Sequence, residues 1–131
     1  VLGGIGFYLS VYGYWDRGKT VLDKVMSKNI GYPKYLHAPT CLNYYRQKKY
    51  EQAMMEAENY DIPGAFWGPM LRACCLGQLG KKTKAKVQIE DLLFLKPDFE
   101  SKASYLISNY VKEGDLVDEV LDGLRKAGLK M

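Results

Sequence analysis

The chain has 131 residues, of which 47% are hydrophobic and 26% charged, and its formal net charge is +4 at pH 7. These values fit one globular domain that is large enough to bury a core, and so small a positive charge does not favour a sequence-independent nucleic-acid binder. The three cysteines, Cys41, Cys74 and Cys75, are an odd number and two of them are neighbours. This argues against a disulfide framework and favours a reducing cytoplasm.

The first predicted element covers residues 1–15, VLGGIGFYLSVYGYW. The stretch is apolar throughout, but it is too short to span a bilayer comfortably, and it lacks the basic start of a signal peptide. We therefore expect a glycine-rich structural helix and no insertion into a membrane. Because the chain opens with Val1 rather than Met, we expect the helix to begin at or before Val1, in a piece of a longer protein.

Hydrophobic residues recur at spacings of three and four along the rest of the chain, which predicts about seven or eight helices and no strands. Gly80, Gly114 and Gly128 are predicted to end helices as left-handed caps, and Asp115 to cap the helix that follows Gly114. The clearest apolar stripes are Ala85, Ile89, Leu92 and Leu93, then Ala103, Leu106, Ile107, Tyr110 and Val111, then Leu116, Val117, Val120, Leu121 and Leu124.

The helical pattern also repeats along the chain, which Pro33, Pro63 and Pro97 divide at regular intervals. Each copy has a small residue in a first helix, a large apolar residue three positions later, a bend, and a small residue early in a second helix. Two helices approach closely only where a small side chain lets their backbones come together. When the chain is aligned with itself at a shift of 32 residues, Cys41 matches Ala73, Tyr44 matches Leu76 and Ala53 matches Ala85. At a shift of 35 residues, Leu9 matches Tyr44, Trp15 matches Tyr50 and Gly18 matches Ala53.

This pattern resembles the tetratricopeptide repeat family, whose small, turn, small and proline positions are matched by Ala73, Gly80, Ala85 and Pro97. The chain departs from the family pattern with Lys48 at a turn glycine, Pro69 at a common tryptophan and Lys82 at an aromatic position. The resemblance implies an all-α solenoid of antiparallel helix hairpins in a single domain, 1–131. We expect about three repeats, at 1–33, 34–65 and 66–99, and a capping helix pair at 100–128.

A narrower resemblance concerns the segments IPGAFWGPMLRACCLGQLGKK, LLFLKPDF and LVDEVLDGLRKAGL. They are similar to the C-terminal repeat region of bacterial multidomain signalling proteins of the class III adenylate/guanylate cyclase type. This resemblance implies, as an alternative function, a regulatory or dimerising region of a nucleotide cyclase.

The chain offers little for catalysis or metal binding. His37 is the only histidine and no CxxC pair exists, so no four-ligand zinc site is expected, and His37 is predicted to have a surface or capping role. The cysteines are expected to pack in the core, with Cys74 alone having an accessible thiol. The lysines at 81, 82, 84 and 86 are expected to be a solvated helix face around Ala85. We expect no catalytic residue, no metal and no cofactor.

By resemblance to the family, the first helix of each hairpin lines a concave groove for a partner. An apolar and aromatic groove suits a peptide with hydrophobic anchors, so the expected function is a protein–protein interaction scaffold. The same face is alternatively covered by the parent chain or by a second copy, and nucleic-acid binding ranks last. The groove residues implied are Phe7, Tyr35, Leu42, Tyr45, Arg46, Trp67, Met70, Leu71, Cys74 and Gln78.

Overall fold

The computed structural model describes residues 2–131, in which eight α-helices and one 3-10 turn at Lys34–Leu36 are joined by short loops. This part of the chain contains no strand, so the predicted all-α fold is confirmed. The helices are α1 (Leu2–Val11), α2 (Trp15–Lys28), α3 (His37–Arg46), α4 (Tyr50–Asn59), α5 (Trp67–Gln78), α6 (Lys82–Leu95), α7 (Phe99–Ser108) and α8 (Gly114–Ala127).

The first six helices form three hairpins, in which α1 packs on α2, α3 on α4 and α5 on α6, and α4 also packs on α5. The bends of the three hairpins have the same geometry at aligned positions. Each contains one residue with a positive φ: Gly13 at 99°, Lys48 at 62° and Gly80 at 72°. In each bend, the residue after the one with positive φ donates its backbone N–H to the carbonyl of the large residue of the first helix. These bonds run from Tyr14 to Leu9 at 2.7 Å, from Lys49 to Tyr44 at 3.0 Å and from Lys81 to Leu76 at 3.0 Å.

The small residues lie where the paired helices touch. Ala53 and Ala85 are fully buried, and a methyl group on Gly18 would overlap the Ser10 hydroxyl and come within 2.9 Å of the Ser10 backbone nitrogen. Because two backbones approach at these points, the sequence pattern of small residues follows directly from the packing of each hairpin.

The last two helices do not form a fourth hairpin of the same kind. The main contacts of α8 are with α5, and its contacts with α6 and α7 are fewer. The buried side of α8 includes Val120 and Leu124, which are fully inaccessible. α8 therefore lies against the face of α5 that the sequence assigned to the groove.

The connector between α7 and α8 returns to the first hairpin. The Lys112 N–H donates to the carbonyl of Val11 at 3.1 Å, and the indole N–H of Trp15 donates to Glu113 Oε1 at 2.6 Å. Both bonds therefore join the α7–α8 connector to the first hairpin.

Two of the three predicted glycine caps are confirmed, since Gly80 and Gly128 both adopt positive φ. Gly114 is different, because it is the first residue of α8, and α7 has already ended at Ser108. Asp115 lies in the first turn of α8, and Glu113 takes the cap position without a side-chain hydrogen bond. The predictions of a cap at Gly114 and at Asp115 were therefore wrong by a few residues.

Candidate functional site

The first helices of the three hairpins surround a pocket of about 350 Å³, which we call the aromatic pocket. It lies between α1, the start of α3 and the start of α5, and Tyr110 of the α7–α8 connector closes one side. None of the described residues that line it is charged. Six aromatic rings line the pocket, those of Phe7, Tyr8, Tyr35, Tyr60, Trp67 and Tyr110.

Two perpendicular ring pairs shape the walls of the pocket. Phe7 and Tyr35 lie edge to face with their centroids 5.9 Å apart, and Trp67 and Tyr110 do the same at 5.6 Å. Offset and edge-to-face geometries are the favoured arrangements of aromatic pairs. Each pair joins segments that are distant in sequence, so the pocket exists only in the folded chain.

Four of the ten predicted groove residues line this pocket, namely Phe7, Tyr35, Leu42 and Trp67. Four others, Tyr45, Met70, Leu71 and Cys74, are fully buried in the core. α8 lies against that part of α5, with the Gly123 position packed on the backbone carbonyl of Cys74.

The prediction of an accessible Cys74 thiol is wrong. Cys74 has no exposed surface, and its Sγ donates to the carbonyl of Leu71 at 3.2 Å. Burial raises the pKa of this thiol well above its ordinary value, so it stays protonated. Cys41 and Cys75 are buried beside it, with their Sγ atoms 3.9 Å apart.

The two remaining predicted groove residues, Arg46 and Gln78, contact other side chains of the chain. The Arg46 guanidinium lies over the ring of Trp15, 5.0 Å from its centroid. The Gln78 amide donates to the Tyr45 hydroxyl at 3.0 Å and to Asp122 at 3.2 Å. Gln78 thereby connects α5 to α8 instead of facing an open groove.

Gln78 and Tyr45 together hold the backbone of α8. Burial raises the pKa of the Tyr45 phenol, so its hydroxyl stays protonated and donates to the carbonyl of Glu119 at 2.6 Å. A side chain of the second hairpin therefore helps to fix the last helix.

His37 is buried, with 5% of its surface exposed, so the predicted surface or capping role is wrong. Its Nδ1 lies 2.7 Å from Glu56 Oε2, and its Nε2 lies 2.8 Å from the Tyr32 hydroxyl. This chain of hydrogen bonds joins the segment before α3 to α4. Glu56 was missed because it lies 19 residues further along the chain, on a different helix.

Three of the pocket rings, Tyr8, Tyr60 and Tyr110, were also missed by the sequence reasoning. Tyr60 lies just after α4 and Tyr110 just after α7, so neither belongs to a first helix of a hairpin. The one available signal was the large number of tyrosines, 11 in the chain, which by itself does not say where they meet.

The lysines at 81, 82, 84 and 86 are all exposed around the buried Ala85, as predicted for a solvated helix face. Among residues 2–131, no helix has both the length and the apolar character that are needed to cross a membrane. No protein-family model, curated protein or solved structure matches the chain.

Proposed function

We propose that this chain is a protein–protein interaction scaffold of tetratricopeptide-repeat type, which binds a partner segment through the aromatic pocket. The observation that supports this most is the set of six rings around an uncharged pocket of about 350 Å³. This volume is at the lower end of the range for ligand sites, roughly 300–1,000 Å³. It suits one or two large side chains of a peptide better than a cofactor.

The chemistry of the lining favours an aromatic or large aliphatic anchor. Such anchors dominate binding energy where they fill a desolvated pocket and are surrounded by polar groups. Tyr8, Tyr35 and Tyr110 are 60%, 40% and 47% exposed, and their hydroxyls are suited to bond the backbone of a bound peptide. The tyrosine rings thus supply the apolar surface that contacts the anchor, and the hydroxyls of the same side chains supply the polar groups around it.

The repeat pattern supports the assignment as well, because the pocket lies among the first helices of consecutive hairpins. A regulatory role in a nucleotide cyclase, the alternative that the sequence indicates, rests on the sequence resemblance alone. The scaffold function has the additional support of the pocket.

Selection of peptides from a displayed random library against the whole chain tests this function. We expect enriched peptides to share one aromatic or large aliphatic position. Tyr35→Ala and Tyr110→Ala should each lower the affinity of such a peptide by at least about tenfold, since both remove a pocket wall. Tyr105→Ala is the matched control, because Tyr105 is 67% exposed on α7 and does not line the pocket. Failure to enrich any peptide, or equal effects of all three variants, would overturn the proposal.

A further inference from the structure

The walls of the aromatic pocket come from two parts of the fold that share few contacts. Phe7, Tyr8 and Val11 line it from α1. Leu42 lines it from α3, and Tyr110 from the connector between α7 and α8. α1 packs mainly on α2, and the contacts of these two helices with α3 are fewer. The width of the pocket therefore depends on the groups that hold the first hairpin against α3 and the connector.

The indole of Trp15, the first residue of α2, is held by a group from α3 and a group from the connector. Its N–H donates to Glu113 Oε1 at 2.6 Å, and the Arg46 guanidinium lies over its ring, 5.0 Å from the centroid. Arg46 Nε in turn donates to Asn43 Oδ1 at 3.0 Å, so the guanidinium is fixed on α3. We call Trp15, Arg46 and Glu113 the Trp15 clasp. Trp15 is buried, and a hydrogen bond to a carboxylate is stronger than one between neutral groups.

Each member of the clasp follows a pocket residue by three or four positions. Trp15 comes four positions after Val11, Arg46 four after Leu42, and Glu113 three after Tyr110. The clasp itself does not line the aromatic pocket, so it leaves the pocket open to an anchor. The carbonyl of Val11 also accepts the Lys112 N–H at 3.1 Å. The first hairpin, α3 and the connector are thus tied together close to the pocket.

We infer that Glu113 and Arg46 are positioning residues of the aromatic pocket, which hold the Trp15 indole and so fix the distance between the pocket walls before a partner segment binds. A pocket that already has its bound shape pays a smaller ordering cost on binding, and this raises affinity. The inference rests on the proposed binding of a peptide in that pocket. It gives Arg46 an indirect role, in contrast to the direct partner contact that the family resemblance implies.

The chain has two tryptophans, which permits a test in the absence of any partner. A heteronuclear NMR spectrum of the whole chain should contain two indole N–H signals, and Trp15→Phe assigns them. The Trp67 ring lines the pocket, outside the clasp. Glu113→Ala should move both signals, that of Trp15 through loss of its hydrogen bond and that of Trp67 through a shift of the pocket walls. Glu113→Gln keeps an oxygen that accepts the indole N–H, and it should leave both signals near their wild-type positions.

The second readout is the affinity of a peptide selected on the wild-type chain, measured by calorimetry. Glu113→Ala and Arg46→Met should each lower it by about fivefold, the contribution of one typical hydrogen bond or cation–π contact. Glu113→Gln and Arg46→Lys should stay within about twofold, because an acceptor oxygen and a cation remain. Asp115→Ala is the matched control, since Asp115 is an exposed carboxylate close to Glu113 in the chain and is not the acceptor of the Trp15 N–H.

Circular dichroism checks that each variant is folded, and Arg46→Met tests the clasp independently if Glu113→Ala does not fold. The inference is wrong if Glu113→Ala binds the peptide as tightly as the wild type, or if Asp115→Ala weakens binding equally. It is also wrong if Glu113→Gln weakens binding as much as Glu113→Ala, since the carboxylate charge and not the hydrogen bond is then the cause. Failure to enrich any peptide overturns the proposed function, whereas an unmoved Trp67 signal in Glu113→Ala overturns this inference whether or not a peptide binds.

Discussion

Gly77 of α5 lies so close to Gly123 of α8 that a methyl group on Gly77 would overlap the carbonyl oxygen of Gly123. The same methyl group would come within 2.9 Å of the backbone nitrogen of Ala127. α8 thus crosses α5 at a pair of glycines, with backbone against backbone. This crossing closes the part of the concave face that the sequence assigned to a partner.

Gly77→Ala should destabilise the chain by about 2 kcal/mol or more, because the added methyl group forces α8 away from α5. The intrinsic helix preference of alanine over glycine, about 1 kcal/mol, offsets only part of this cost. Gly114→Ala is the control, since a methyl group there meets no atom within 4 Å. Urea denaturation measures both variants, and a Gly77→Ala chain as stable as Gly114→Ala would contradict the crossing.

Gly123→Ala should show energetic coupling to Tyr45→Phe. A methyl group on Gly123 overlaps the Tyr45 hydroxyl, and it also lies 2.7 Å from the carbonyl oxygen of Cys74. Removing the hydroxyl relieves one of these two clashes, so the double variant should be more stable than the sum of the two single changes predicts, by about 1 kcal/mol. Gly4→Ala on α1, where an added methyl group meets no atom within 4 Å, is the control, and its effect should add to that of Tyr45→Phe. A double-mutant cycle with additive energies in both cases would refute this account of the contact.

Lys48→Gly should stabilise the chain by about 1 kcal/mol, because Lys48 has φ 62° in the bend between α3 and α4 and a left-handed conformation is strained for a residue with a Cβ. Lys49→Gly serves as the comparison. Lys49 has φ −92°, so glycine there adds only flexibility to the unfolded chain and should lower stability. Thermal denaturation measures the two shifts, which should have opposite signs.

Glu56→Ala should cost about 2 kcal/mol, because it leaves one nitrogen of the buried His37 without its partner. Glu58→Ala on the same helix is the control, with an exposed side chain and an expected change within about 0.5 kcal/mol. Tyr32→Phe removes the other hydrogen bond of His37 and should cost about 1 kcal/mol. If Glu56→Ala and Glu58→Ala have equal midpoints in urea, the hydrogen-bond chain has no stabilising role.

The sequence predicts the hairpins well because their determinants are local. The small residues Ala53 and Ala85 and the bend at Gly80 lie within one hairpin each, so spacing alone reveals them. Lys48 breaks the glycine pattern, but the shift of 32 residues still identifies it as a bend. Helix ends are less well determined, as Gly114 shows, because a glycine at the start of a helix looks the same as one at its end.

The candidate site is less predictable because its residues come from distant segments. The contact of α8 with α5 depends on Gly77 and Gly123, and no periodicity links these two positions. Gly123 interrupts an otherwise apolar stripe, which was the one available sign that another backbone comes close at that point. Tyr110 meets Trp67 only because the α7–α8 connector returns across the molecule, and that path is set by tertiary packing.

The bonds from Lys112 and Glu113 to the first hairpin have a consequence for the order of folding. In an open repeat array each unit contacts only its neighbours, and folding spreads from unit to unit. Here the indole of Trp15 meets a carboxylate 98 positions later in the chain. Closing the long loop between these two residues costs more entropy than closing a single hairpin, and contacts between residues so distant in sequence form slowly. We expect α3 to α6 to form the early folding nucleus and the first hairpin to gain its final contacts last. A ribosome must therefore release the C-terminal connector before the N-terminal hairpin reaches its native packing.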